Sequence, residues 1–138
     1  MHEYLEFLSE GELNSIRRDP KNTQWRYMAT QYKLSENFIR EYKDYLNFYY
    51  ICNYQLLSCD FMREFKDKLY WSNISYTQIL SEDFIREFQD KISWHNISQF
   101  QNLSKEFITE FADNVHFNNI LNNKNISQEV KDYCRMFL

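Results

Sequence analysis

The chain has 138 residues, a length that suits one domain, and its 43% hydrophobic and 26% charged residues fall in the globular range. One glycine and one proline are too few for a sheet protein rich in hairpins, and one glycine cannot make a phosphate-binding loop. A net charge of −4 and a pI near 5.4 argue against nucleic acid as a partner, while 12 Phe, 11 Tyr and 3 Trp supply the apolar area for a core.

The first residues, Met1-His2-Glu3-Tyr4-Leu5-Glu6, show no basic stretch leading into an apolar run, so no signal peptide is expected. No segment approaches the roughly 20 apolar residues of a membrane span. Cys52, Cys59 and Cys134 are odd in number and scattered, as free thiols of a reducing compartment would be. Together these place the protein in the cytoplasm, away from membranes.

Serine then sets a beat along the chain: Ser35, Ser58, Ser81, Ser104 and Ser127 each follow the last by 23 residues. The first repeat, 9–34, opens at Ser9 and carries three extra residues within Arg17 to Gln24 before Trp25 restores the register. Repeats 35–57, 58–80, 81–103 and 104–126 follow, and a half-repeat, 127–138, completes a single repeat domain spanning 1–138. A period between 20 and 50 residues is the mark of a stacked array.

Each repeat begins with a legible helix. Serine is a strong N-cap, and acids follow it at Glu36, Asp60, Glu82 and Asp83, where they suit the positive end of the helix dipole. Leu34, Leu57, Leu80 and Leu103 precede the serines, with Ile39, Met62, Ile85 and Ile108 five positions on. That is the spacing of a hydrophobic staple. In the fourth repeat Phe84, Ile85, Phe88 and Ile92 mark one helical face. The second half reads as shorter. Trp94, Ile97, Phe100 and Leu103 are spaced by three, which fits a short α or 3₁₀ helix and not a strand. The fold class expected is all-α: a short α-solenoid of 23-residue helix pairs. Phe38, Phe61, Phe84 and Phe107 should be buried at equivalent positions, as should Phe48, Trp71, Trp94 and Phe117.

The tandem blocks Phe61-Met62-Arg63-Glu64-Phe65-Lys66-Asp67-Lys68 with Trp71, Ile74 and Ser75 resemble uncharacterised tandem-repeat proteins of giant DNA viruses and bacteriophages. The resemblance covers about Leu34 to Ser127. The first and fifth repeats depart from it, at Trp25-Arg26-Tyr27-Met28 and Phe117-Asn118-Asn119-Ile120. The resemblance brings no function or site with it. It implies a viral protein acting in a host cytoplasm on a host factor, possible components of host defence included. The unit length is also similar to that of the leucine-rich-variant solenoids, an architectural likeness alone.

Chemistry is scarce. His2, His95 and His116 form no metal-ligand spacing with the cysteines, and no catalytic constellation is present, so neither a metal, a cofactor nor an enzyme activity is expected. Cys134 falls at the offset of Phe65, Phe88 and Phe111 and reads as a core thiol. The Asn-x-Ser sequons at Asn73, Asn96, Asn102 and Asn125 read as products of the repeat.

Two features remain as candidates for binding another protein. Arg40, Arg63 and Arg86 share one offset and form a charged series beside Glu41, Glu64, Glu87 and Glu110, with Asp four residues after each Arg. Tyr45, Tyr49 and Tyr50 break the template, standing where later repeats have Lys68 and Lys91, Ser72 and His95, Asn73 and Asn96. Tyrosine is enriched at binding hot spots because it is large, stiff and amphipathic. The rival role for these rings is packing against the inserted residues Arg17 to Lys21. The function expected is a non-enzymatic protein-binding repeat module. The alternative is a structural or assembly protein that self-associates through apolar residues such as Tyr4, Leu5, Phe7, Leu8, Met136, Phe137 and Leu138.

Overall fold

A computed structural model describes residues 5–138 of the chain. The described residues are mostly helical, as expected. Contacts cluster into two compact units, the first ending at Tyr70 and the second spanning Trp71–Leu138. Tyr4, one of the apolar residues named above, lies outside the described residues.

The N-terminal unit runs β1 (Glu6–Phe7), α1 (Glu10–Arg18), a 3₁₀ turn (Pro20–Asn22), α2 (Trp25–Gln31), β2 (Tyr32–Lys33), α3 (Glu36–Glu41), α4 (Phe48–Tyr54) and α5 (Cys59–Glu64). The C-terminal unit runs α6 (Trp71–Thr77), α7 (Glu82–Glu87), α8 (Trp94–Phe100), α9 (Lys105–Glu110), α10 (Phe117–Asn122), α11 (Gln128–Cys134) and a 3₁₀ turn (Arg135–Phe137). Within the first unit α2 packs beside α4, and within the second α6 packs beside α8 and α8 beside α10. Within each unit, second helices of successive repeats are thus neighbours.

The serines start the helices. Ser35, Ser58, Ser81, Ser104 and Ser127 accept from the main-chain N–H three residues on, at Phe38, Phe61, Phe84, Phe107 and Val130. Ser9 and Glu12 complete a reciprocal capping box at α1. An acid one residue past the cap also reaches the following repeat: the Ser58 N–H donates to Glu36 at 2.7 Å, and the Ser104 N–H to Glu82 at 2.6 Å.

The helix halves differ from expectation in length. In the second, third and fourth repeats the first helix has six residues and the second seven, as in α7 and α8, while α9 and α10 have six each. Ile92, expected on the first helix, lies beyond it in a turn where its N–H donates to the Phe88 carbonyl. That turn still buries Leu46, Leu69, Ile92 and Val115, so the apolar spacing is kept while the helix ends. No described residue adopts a positive φ. The chain reverses without the left-handed position that usually demands glycine, which explains how one glycine suffices.

Phe38, Phe61, Phe84 and Phe107 are buried, as is Phe48. Trp71, Trp94 and Phe117 are only half-buried, which corrects the expected column. Each lies at the start of a second helix and packs on its neighbours from the side. The Trp94 ring centre is 5.0 Å from Phe111 and 6.3 Å from Phe107; Trp71 is 4.7 Å from Phe88. A second correction is the short parallel pairing of β1 with β2, Glu6 opposite Tyr32 and Phe7 opposite Lys33.

A series of buried amides ties repeats together. The Gln55 carbonyl oxygen accepts from the Leu34 N–H at 2.9 Å, while its amide nitrogen donates to the Ala29 and Tyr32 carbonyls at 2.7 Å each. Gln101 repeats the pattern on Leu80, Ser75 and Gln78. Asn123 donates to the Ser98 and Gln101 carbonyls at 2.9 and 2.8 Å. These amides satisfy carbonyls at the end of one second helix, groups that a helix leaves unpaired. Small residues on the second helices do the same for amides ahead of them. The Ser93 N–H donates to Ser75 Oγ at 3.0 Å, the His116 N–H to Ser98 Oγ at 2.9 Å and the Tyr70 N–H to Cys52 Sγ at 3.4 Å. Among the described residues no buried side-chain nitrogen or oxygen lacks a partner.

Candidate functional site

The arginines of the charged series are held by the repeat itself. Arg40 donates from Nε to Glu64 at 2.8 Å and from Nη1 to Asn37 at 2.9 Å, and its guanidinium lies 5.4 Å from the centre of the Phe61 ring. Arg86 makes the same contacts one unit over: Glu110 through Nε and Nη2, Asp83 at 2.9 Å, and the Phe107 ring at 5.2 Å. Bonding to Glu110 holds the Arg86 guanidinium above its usual pKa. Arg63 pairs with Asp60 at 3.1 Å. For Arg40 and Arg86 the partners are thus an amide or acid three residues back and a glutamate in the next repeat. A guanidinium already paired and seated on a ring has few donors left for a visiting carboxylate.

The tyrosines fall into two ring groups, both in the N-terminal unit. Tyr45 stacks on Trp25 at 5.3 Å and 27°, and Trp25 also meets Tyr42 at 5.1 Å. The Trp25 indole N–H donates to the Pro20 carbonyl at 2.9 Å, so the inserted turn fixes the ring on which Tyr45 lies. Burial pushes the neighbouring Tyr42 phenol above its ordinary pKa. In the second group Tyr49 meets Tyr50 at 5.4 Å and Tyr70 at 5.5 Å, both edge-on. The Arg26 guanidinium sits 5.1 Å from the Tyr50 ring centre.

Comparison with the other unit explains Tyr50. Asn96 stands at the same offset and donates from Nδ2 to the Ser72 carbonyl at 2.9 Å; Asn119 does likewise to His95. Arg26 occupies the offset of Ser72 and His95, so the Arg26–Tyr50 pair replaces an amide hydrogen bond with a cation–π contact. Tyr50 is half-buried. Tyr45, Tyr49 and Tyr70 remain 42%, 44% and 47% exposed, each ring meeting a neighbouring ring.

Other groups offer less. Cys52 and Cys134 are buried, and desolvation raises both thiols, Cys52 to about 11. A thiol so protonated is a poor nucleophile. Cys59, at the start of α5, is partly exposed. His95 and His116 rings meet at 5.6 Å, but no group of three His, Cys, Asp or Glu among the described residues is placed to share a metal ion. A cavity of about 640 Å³ lies between α1, the inserted turn and α2. Its acids are engaged locally: Glu12 accepts from the Ser9 N–H, which with the Tyr32 hydroxyl holds its carboxyl below the usual range, and Asp19 accepts from Asn22. No helix among the described residues is long and apolar enough to cross a membrane.

Sequence reasoning missed the amide series, although Gln55, Gln78 and Gln101 are spaced by one repeat. It also passed over Tyr70, because that residue departs from Asn47, Ser93 and His116 at an offset with no fixed residue type. No family model matches this chain, and no curated protein or solved structure is similar to it.

Proposed function

We propose that the chain is an α-solenoid repeat module that binds another protein through the tyrosine face of its N-terminal unit, and that it does no catalysis. The observation that carries this reading is the contrast between polar and aromatic groups. The repeated arginines, glutamines and serines are consumed in holding the repeats, whereas Tyr45 and Tyr49, where the chain breaks its own template, and Tyr70, which meets Tyr49, stay exposed. Rigid rings with one wet face gain most when a partner dries them. Arg40, Arg63 and Arg86 serve the scaffold in this reading, and Tyr50 supports the patch through Arg26.

The resemblance to viral repeat proteins directs the search for the partner to host proteins of the cytoplasm, defence factors first. Capture from host lysate by the full chain, compared with a Tyr45→Ala/Tyr49→Ala/Tyr70→Ala variant of unchanged circular dichroism, tests the site. Loss of at least ten-fold in capture of one identified protein is expected. Equal capture by both removes the tyrosine face.

Self-association is the second reading, favoured by Met136, Phe137 and Leu138, which are 74%, 44% and 66% exposed. Sedimentation over a wide concentration range decides it. A strict monomer at high concentration excludes assembly.

A further inference from the structure

The pairing of β1 with β2 shows how this fold receives an added strand. Tyr32–Lys33 is the extended link between the end of a second helix and the next capping serine. Glu6–Phe7 lies parallel to it, and Phe7 walls a groove of about 250 Å³ lined also by Lys33, Leu34, Tyr54, Gln55 and Leu56. The Lys33 ammonium is 6.0 Å from the Phe7 ring centre.

Two 23-residue repeats further on, Lys33, Leu34, Tyr54, Gln55 and Leu56 become Ile79, Leu80, Phe100, Gln101 and Asn102. Ile79, Phe100, Gln101 and Asn102 line a groove of about 360 Å³ in the C-terminal unit, together with Tyr76 and Asn125. It is the same groove, built by the same offsets. The buried glutamine beneath it makes the same bonds, Gln55 to Leu34 in one and Gln101 to Leu80 in the other. No strand of the described residues pairs there.

The apolar side chains at this second groove are exposed. Ile79 is 94% exposed, and Tyr76 and Phe100, whose rings meet at 5.8 Å, are 43% and 41% exposed. Gln101 takes the Gln78 carbonyl and the Leu80 N–H, but among the described residues no hydrogen bond engages the Ile79 main chain between them. A main-chain edge open at Ile79, beside a groove whose apolar walls are Tyr76, Ile79 and Phe100, is the arrangement by which sheets accept a peptide strand.

We propose that the groove of the C-terminal unit receives an extended segment of a partner protein, which adds as a short parallel strand beside Gln78–Ile79 and lays an aromatic side chain against Ile79 and Phe100. The chain's own Leu5-Glu6-Phe7-Leu8 is the pattern for that segment. Ile79 replaces Lys33 and Asn102 replaces Leu56, so the second groove lacks a cation for an acid and favours an uncharged residue before the aromatic one. The inference rests on the protein-binding reading above but uses a different surface.

The test uses the full chain, ¹⁵N-labelled, titrated with a synthetic peptide of residues 1–10 in which Glu6 is replaced by Gln. Saturating shifts at Gln78, Ile79, Phe100 and Asn102 are expected. Affinity should fall at least ten-fold when the peptide carries Phe7→Ala, and at least ten-fold when the protein carries Ile79→Asp. Ile79 is exposed, so that variant should keep its fold, which its spectrum reports directly. Absence of saturating shifts, or shifts confined to Lys33 and Leu56 through exchange with the resident strand, overturns the assignment. Self-association that Ile79→Asp abolishes also overturns it, by placing a second copy in the groove. The tyrosine variant should titrate like the parent, so failure of the tyrosine face and failure of this groove are read separately.

Discussion

Gln101 illustrates what one side chain contributes here. Its amide satisfies the Leu80 N–H and two carbonyls, all in the preceding repeat, and it is 3% exposed. Gln101→Met keeps the volume but strands those groups. Each unsatisfied buried polar group costs about 1–3 kcal/mol, so a loss of at least about 2 kcal/mol in chemical unfolding is expected, with faster amide exchange at Leu80. A parent-like midpoint would show that water replaces the amide. Cys52 supplies a second prediction. Its thiol ionises near 11 in the folded chain and near the ordinary thiol value of about 8.5 when unfolded. The folded state therefore holds the proton more tightly, so stability is complete below about pH 8.5 and is lost as pH rises toward 11. Cys52→Ser matches Ser75 and Ser98 at that offset, so it should fold normally and lose less stability over that window. Equal alkaline loss in both proteins would place the titrating group elsewhere. Neither role was legible beforehand. A glutamine or a small residue on a helix reads as surface until burial shows otherwise, and nothing in residue type separates the two.

At the scale of the element, the start of each first helix was legible and its end was not. Serine, the following acid and the preceding leucine each act locally, through a cap, a dipole and a staple, so one stretch of sequence contains the whole cause. The end depends on which N–H groups donate to the Phe88 carbonyl, and Ile92 stays apolar whether it follows as helix or as turn. Ser104→Ala should cost about 1 kcal/mol, the usual loss of a serine cap. The Glu82 bond to the Ser104 main chain is independent of that side chain and should survive. The half-burial of Trp94 also limits what its loss can cost. Trp94→Ala should fall below the about 3–5 kcal/mol typical of fully buried large aromatics, while still raising amide exchange in both α8 and α9. Exchange altered in α8 alone would mean that Trp94 does not bridge to Phe107 and Phe111. Side-chain spacing told which rings face inward but not how much of each is covered, because coverage depends on the neighbouring repeat's shape.

For the whole molecule, the repeat period was the most legible feature and the proposed binding surface the least. Periodicity repeats its message in every copy. A binding site is by nature an exception to the template, and Tyr45, Tyr49 and Tyr50 could be recognised as exceptions without showing which of them are used in packing. The answer is mixed: Tyr50 is committed to Arg26, Tyr45 lies on Trp25, and Tyr49 and Tyr70 share an edge that remains wet. The β1 strand was invisible because two residues cannot display an alternating pattern.

The back-reaching amides carry a rule for how such a chain can lengthen. Gln55 and Gln101 each find their partners in the repeat before, so a whole repeat copied in frame arrives with an amide for its predecessor and carbonyls for its successor. A partial insertion would shift the amide off its targets. The three extra residues between Arg17 and Gln24 obey this rule, since they precede Gln55, the first amide to reach back, and Tyr32 stands at its offset in the first repeat. Growth by duplication is therefore the cheap edit and growth by small insertion the costly one. A chain with residues 81–103 duplicated should unfold cooperatively at or above the parent midpoint. A chain with three residues inserted after Ser93 should not, and a parent-like midpoint for the latter would show that the amides tolerate loss of register.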